Sequence, residues 1–272
     1  MQFDELVFHY TKIDTAITYI LQNRQLKFST IKNTNDPYEK YPYVFTHSPK
    51  NASTDSGDAL AMKKCMWLSE HLKKEIQILC LTKDMLSDNL PGMLIYNLGR
   101  GYTKPRMWAQ YADDFKGICL GIKKHNLISK IEDVYQDKEL EYGDVIYSTE
   151  EGYVTKVIQA TSLKEDSNIL SNEEILEKML RKYKETYFFT KHPDWKTENE
   201  FRVIIRDKNE NNNYIDIDGA LEFIVVGTEV EDDKVEVVLQ KVEQFKYKPK
   251  VYRIDFWDGY YHIEPINNRM GE

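Results

Sequence analysis

The chain has 272 residues, 41% of them hydrophobic, with 37 Lys and Arg against 45 Asp and Glu, giving a formal net charge of −8 at pH 7. That length and apolar content suffice for a sizeable buried core, while the acidic balance argues against a protein that coats nucleic acid through a basic surface. No apolar run reaches the length of a membrane helix, and the start MQFDELVFHY lacks the basic-then-apolar order of a secretory leader, so the chain is expected in the cytoplasm and off the membrane. Cys65, Cys80 and Cys119 are odd in number and never in a C-x-x-C pair, which predicts buried small hydrophobes rather than a disulfide framework or a zinc site.

In chain order, FHYT reads as a strand, Ile13, Ile17, Ile20 and Leu21 follow helical spacing, and LKFST alternates as a strand does. NDPYE is a turn by its chemistry, with Asn35 and Asp36 able to cap backbone groups ahead of Pro37. SPKNASTDSGD reads as a loop ending in good N-cap residues, followed by a helix from Ala59 to Lys74 and the strand IQILCLT. The stretch holding Pro91, Gly92, Gly99, Gly101 and Pro105 reads as a long loop, either a binding lid or disorder. RMWAQYADDFKGICLGI gives a short helix, a turn at Gly117 and a strand apolar on both faces, the pattern of a strand inside a sheet. ELEYGDVIYS is a further strand, and SNEEILEKMLRKYKETY is a helix capped at Ser171 or Asn172, with Glu173 and Glu174 at its positive end. FRVII, an asparagine-rich turn at 209–213, YIDID, EFIVVG, a helix from Asp232 to Val242, VYRIDF and YYHIEPI complete the chain. Helices and strands without repeats or linkers predict one α+β domain over 1–272, with a mixed or antiparallel central sheet flanked by helices.

The pieces FHYT, LKFSTIKNTNDPYEK, RMWAQYADDFKGICLGI, EYGDVIYS, HPDWKTENEFRVI and LEFIVVG, in that order, resemble the bacterial DUF2971 family over roughly residues 6 to 255. The resemblance supplies no reaction, but implies a bacterial protein met near defence or mobile elements, with an antitoxin or defence-system partner. A second resemblance is to ADP-ribosyltransferases, which place a His-containing triplet on an early strand, then a Ser-Thr or aromatic motif, and later a glutamate pair opening an apolar strand. HYT at 9–11, FST at 28–30 and ENEFRVII at 198–205 follow that plan, with Tyr10 standing where the family has Gly. The resemblance implies an ADP-ribosyltransferase-like fold and NAD as co-substrate, with no metal. It also implies a bound nucleotide and an acceptor macromolecule.

In that scheme Glu200 faces the positive charge that develops when the nicotinamide–ribose bond opens, and Glu198 orients the acceptor or acts as a base. His9, Tyr10, Thr11 and Ser29 hold the nucleotide, and Tyr38, Trp108 and Tyr111 compete to stack on nicotinamide. Strand alternation groups Glu198, Glu200 and Arg202 on one face and sends Phe201 and Val203 to the core. Asn35, Asp36 and Glu39 contact substrate hydroxyls. Bland alternatives stand beside this. His9 reads equally as a core histidine, the Glu198–Glu200–Arg202 alternation as solvated cross-strand pairs, and Trp108 and Tyr111 as core anchors. Two other functions fit as well. One is a metal-dependent nuclease or hydrolase built on Asp36, Glu39, Glu198 and Glu200. The other is a non-enzymatic binding module in which Lys241, Lys246, Lys248, Lys250 and Arg253 alternate with Phe245, Tyr247 and Tyr252, a pattern that suits single-stranded nucleic acid or, as its bland form, a lysine-blunted edge strand.

Overall fold

The computed structural model describes residues 5–40, 46–47, 55–85, 99–149, 162–163, 170–209 and 211–266. Strand β1 (Leu6–Lys12) runs into a helical segment at Ile13–Thr15 that continues as a wide turn over Ala16–Leu21. LKFST is not one strand: Leu26 and Lys27 belong to β2 (Gln25–Lys27) and Ser29 opens β3 (Ser29–Thr30), with Phe28 buried between them. Only the start of NDPYE is the expected turn, the Tyr38 amide donating to Asp36 Oδ1 at 2.9 Å; from Pro37 the chain forms a one-turn helix, Pro37–Lys40, that the sequence reading did not anticipate. Then come β4 (Thr46–His47), a helix at Asp55–Lys74 and β5 (Ile76–Lys83). Residues 48–54 of the predicted loop lie outside the described residues, as do Pro91 and Gly92 of the predicted long loop. Gly101, at the far end of that stretch, packs on β1: the Tyr10 hydroxyl donates to its carbonyl at 2.6 Å, and a Cβ on it would sit 2.0 Å from the Phe8 ring.

The helix Pro105–Tyr111 leads to β6 (Gly117–Lys123), buried along Gly117–Ile122 as its two-faced apolar pattern requires. The turn between them is not at Gly117 but at Asp113, Asp114 and Phe115, all with positive φ. Gly117 and Gly227 instead allow backbone to pass closely, since a Cβ on Gly117 would meet the Thr11 carbonyl at 2.3 Å and one on Gly227 the Phe115 carbonyl at 2.0 Å. After the helix Lys124–Val134 come β7 (Glu139–Asp144), β8 (Ile146–Tyr147) and β9 (Ser162–Leu163). The helix Asn172–Phe188 has the full capping box: Glu174 N–H donates to Ser171 Oγ at 3.2 Å and Ser171 N–H to Glu174 Oε2 at 2.8 Å. Ser171→Ala is therefore expected to lower the unfolding free energy by about 1 kcal/mol, and a urea titration identical to wild type would show that this cap contributes nothing.

The chain closes with β10 (Thr190–Lys191), β11 (Glu200–Arg206), β12 (Tyr214–Asp216), β13 (Leu221–Val226), the helix Asp232–Val242, β14 (Lys250–Trp257) and β15 (Tyr260–Pro265). The main sheet has the order β15-β14-β13-β6-β1-β5-β11-β7, with β3 also on β5. Its pairs are antiparallel except β13 with β14, so the fold is α+β on a mixed sheet. Strand β14, anticipated as a lysine-blunted edge, is internal because β15 covers it.

The pleat divides the core. One face carries Val7, Leu79, Leu81, Leu120, Phe201, Val203 and Ile224 in a single apolar cluster with Ile20, Leu127 and Val238 of the adjoining helical segments. The opposite face carries two clusters. Phe8, Tyr10 and Cys119 gather with Met107 and Trp108, whereas Ile76, Ile78 and Ile204 gather with Leu68, Leu72 and Met179. Between those two clusters, on the same face, the register places Thr82 beside Glu200 and Cys80 beside Arg202.

Candidate functional site

A gap in the sheet creates the site. Strands β1 and β5 pair only at Val7–Lys83 and Phe8–Thr82, and β3 joins the same side of β5 only at Ser29–Ile78 and Thr30–Gln77. Among the described residues no strand pairs Leu79–Leu81 on that side. A cavity of about 190 Å³ opens there, and His9, Tyr10, Ser29, Asn35, Tyr111, Glu198, Glu200 and Arg202 all line it. The pleat alone would put His9 on the Val7 side and Glu200 on the Phe8 side; parting of the strands lets both border one space. His9 Nδ1 reaches the Cys80 carbonyl across the gap at 3.5 Å, a long contact. Burial pushes the His9 imidazole below its ordinary value, so the ring is neutral at pH 7.

A buried ionic network forms one wall. Arg202, 0% exposed, grips Glu200 with both edges of its fork, Nε to Oε1 at 2.6 Å and Nη2 to Oε2 at 3.1 Å. Its Nη1 reaches Glu39 Oε1 at 2.5 Å and the Phe188 carbonyl at 2.7 Å. Lys191 bridges the two later glutamates, 2.8 Å from Glu198 Oε2 and 3.0 Å from Glu200 Oε2. The Tyr111 hydroxyl donates to Glu198 Oε1 at 2.7 Å, and Lys104 Nζ donates to the Glu198 carbonyl at 2.8 Å. Burial lowers the Lys104 ammonium to about 8. A Cβ at position 10 is accommodated here because the Tyr10 ring packs edge-on against Trp108 and its hydroxyl ties down Gly101.

Several expected placements are corrected. Glu198 does not sit on the strand with Glu200. It ends a 3-10 turn at Pro193–Glu198, and Asn199, at φ +45°, reverses the chain before β11 begins. The side chain still converges with Glu200 through Lys191. Glu200 and Arg202 are buried rather than solvated. Thr11, Tyr38 and Trp108 do not line the cavity. Trp108 is a core anchor, stacked on Phe115 and donating Nε1–H to the Tyr102 carbonyl at 2.8 Å, and Tyr38 lies 47% exposed against His192. Of the competing rings, Tyr111 faces the cavity. Asp36 and Glu39 are each 1% exposed and lie behind the wall, so neither contacts the cavity space, although Asn35 does. Asp36 Oδ2 and Glu39 Oε2 are buried without a hydrogen-bond partner. Cys80 is not simply a core residue: it is partly exposed and lines the cavity, while Cys65 and Cys119 are buried.

Sequence reasoning missed Lys191, Thr82, Lys104 and Tyr147, whose hydroxyl accepts from the Glu200 amide at 3.0 Å. No local pattern marks Lys191. Its place comes from parallel pairing of β10 with β8, a contact between segments more than 40 residues apart.

The network has a pH signature. Burial alone would raise the Glu200 carboxyl, but Arg202 and Lys191 outweigh it and hold the group at about 2, against an ordinary 4.5. Asp207 is likewise at about 2, where Lys138, Asn213 and the Asn209 amide overcome its burial. Both folded values lie below the unfolded ones, so this stabilisation is complete above the unfolded values and is lost as pH falls through the folded ones. Asp36, raised by burial and by Glu39, acts in the opposite sense. Unfolding free energy is expected to fall between about pH 4.5 and 2, with a shallower acid limb in Glu200→Gln; equal acid limbs would remove Glu200 from the cause.

Among the described residues, no helix is long and apolar enough to cross a membrane, and no three His, Cys, Asp or Glu side chains converge as a metal cage. No curated protein and no solved structure matches the chain. Residues 107–203, which hold Tyr111, Lys191, Glu198, Glu200 and Arg202 but not His9, match DUF2971, a family described as protein of unknown function.

Proposed function

We propose that the cavity binds the nicotinamide end of NAD and that the protein is an ADP-ribosyltransferase or NAD glycohydrolase. The observation that supports this most is the parting of β1 and β5, which gathers His9, Ser29, Tyr111, Glu198 and Glu200 on one cavity. Whole-ligand pockets run to roughly 300–1,000 Å³, so a space of about 190 Å³ suits one end of a dinucleotide, with the remainder outside. In the reaction, the bond between nicotinamide N1 and ribose C1′ breaks and its electron pair leaves with nicotinamide, neutralising the pyridinium. The ionised Glu200 carboxylate faces the positive charge left on the ribose. Water or an acceptor nucleophile then bonds to C1′ and gives up its proton to Glu198, whose carboxylate lines the same cavity and is joined to Glu200 through Lys191.

Tyr111 offers its ring to nicotinamide while Glu198 fixes its hydroxyl. Neutral His9 offers a hydrogen bond to a ribose hydroxyl. A metal-dependent hydrolase has less support, because two of the four carboxylates it would use, Asp36 and Glu39, do not line the cavity. Calorimetric titration of NAD in the presence of EDTA tests the proposal: saturable binding that weakens in Tyr111→Ala is expected, and no heat with NAD in either protein would refute it.

A further inference from the structure

Glu198 and Glu200 line the cavity but are 3% and 4% exposed, so access to them is narrow. Two of the roughly four lone-pair sites on the Glu198 carboxylate are taken, Oε1 by the Tyr111 hydroxyl at 2.7 Å and Oε2 by Lys191 Nζ at 2.8 Å. What remains suits one small donor. The wall behind this carboxylate is pinned on both sides of Glu198. Before it, Arg106 donates to Thr197 Oγ1 at 3.3 Å and to the Asp194 carbonyl. The Glu198 carbonyl accepts from Lys104 Nζ at 2.8 Å and from the Thr82 hydroxyl, and Lys104 Nζ also donates to Thr82 Oγ1 at 2.5 Å. After it, Asn199 Nδ2 donates to the Asp84 carbonyl at 2.7 Å and the Glu200 amide to the Tyr147 hydroxyl at 3.0 Å. Thr82 and Lys104 are themselves buried, which leaves this wall little freedom to swing aside for a bulky group.

These limits bear on which nucleophile can reach the ribose. A short nucleophilic side chain, Ser, Cys, Asp or Glu, would have to bring the backbone it hangs from up to carboxylates that are almost closed to solvent. Arg and Lys are long and thin enough to enter alone, but the charged residues lining the cavity are Lys27, Lys191 and Arg202 as well as Glu198 and Glu200, and two of those three cations are buried. A cationic acceptor is therefore repelled where screening is weakest. A nucleic-acid acceptor faces a chain with a net charge of −8. Water meets none of these obstacles. We infer, resting on the NAD cleavage proposed above, that the nucleophile is water and that the protein is an NAD glycohydrolase rather than a transferase. As the bond between nicotinamide N1 and ribose C1′ breaks, its electron pair leaves with nicotinamide and a water oxygen bonds to C1′. One water proton passes to Glu198 and then to solvent, so the products are nicotinamide, ADP-ribose and one proton.

The test follows the products of the full chain with NAD in the presence of competing nucleophiles: methanol or 1-propanol at equal concentration, agmatine as a free guanidine, and histones as protein acceptors with biotin-labelled NAD. One free ADP-ribose for each nicotinamide is expected, with none attached to agmatine or histone. Among the alcohols, trapping by methanol at most is expected, with 1-propanol at least about tenfold poorer, because each added methylene must fit beside Glu198. ADP-ribose transferred to agmatine or histone at a rate comparable to hydrolysis would overturn the inference, as would 1-propanol trapping as well as methanol. Failure to release any nicotinamide is a different result: it would refute the cleavage itself, and the assignment of water would fall with it.

Discussion

Replacing Arg202 by alanine is expected to destabilise the protein by about 3–5 kcal/mol. The guanidinium is fully buried and is shared by Glu200, Glu39 and the Phe188 carbonyl. Its removal takes away the guanidinium paired with buried Glu39 and, among the described residues, leaves Glu200 with Lys191 as its salt-bridge partner. The cost comes from charge left unpaired rather than from volume, and this makes a second result follow. Combining Arg202→Met with Glu39→Gln and Glu200→Gln removes the stranded charges together, and should recover much of the loss. Urea unfolding of the single and combined variants decides it: an Arg202→Ala protein as stable as wild type would mean that the network is open to water and contributes little.

Glu200→Gln is expected to lower NAD turnover by about 10²–10³ with little change in KM, because the amide keeps the shape of the carboxylate but not its charge. The side chain is tied to Arg202 and Lys191, so part of its charge is already balanced and the effect belongs to the lower part of that range. The same substitution loosens the network, so its urea midpoint must be read beside its rate. A variant that unfolds more easily yet turns over NAD as fast as wild type would make Glu200 a structural residue, and the chemistry would have to sit elsewhere. Glu39→Gln provides the contrast. Glu39 touches Arg202 but not the cavity, and its loss should cost stability more than turnover.

What the sequence disclosed and what it hid separate along physical lines. Features fixed by local chemistry were legible. The two-faced apolar run ICLGI became a fully flanked strand, SNEE became a capping box, and the start of NDPYE became an Asx turn. Period-2 alternation correctly paired Glu200 with Arg202 and opposed them to Phe201. Where one residue changes backbone state, alternation stopped being informative. Asn199 in the left-handed region takes Glu198 out of the strand, and Phe28, between two short strands that join different sheets, breaks LKFST.

The cavity itself was not legible, because it depends on where two strands cease to pair. Nothing in FHYT or IQILCLT states that their contact ends after Phe8 and Thr82. Lys191 was hidden for the same reason, as was the burial of Asp36 and Glu39, which a polar turn sequence would place at the surface.

The proposed cleavage of the nicotinamide–ribose bond in the cavity between β1 and β5 is tested most directly by release of free nicotinamide. Wild-type protein and Glu200→Gln would each be incubated with NAD and the nicotinamide followed by chromatography. Steady release by wild type is expected, with a rate about 100-fold lower in Glu200→Gln. No release by wild type, with and without added acceptor proteins, or equal release by the two proteins, would contradict it.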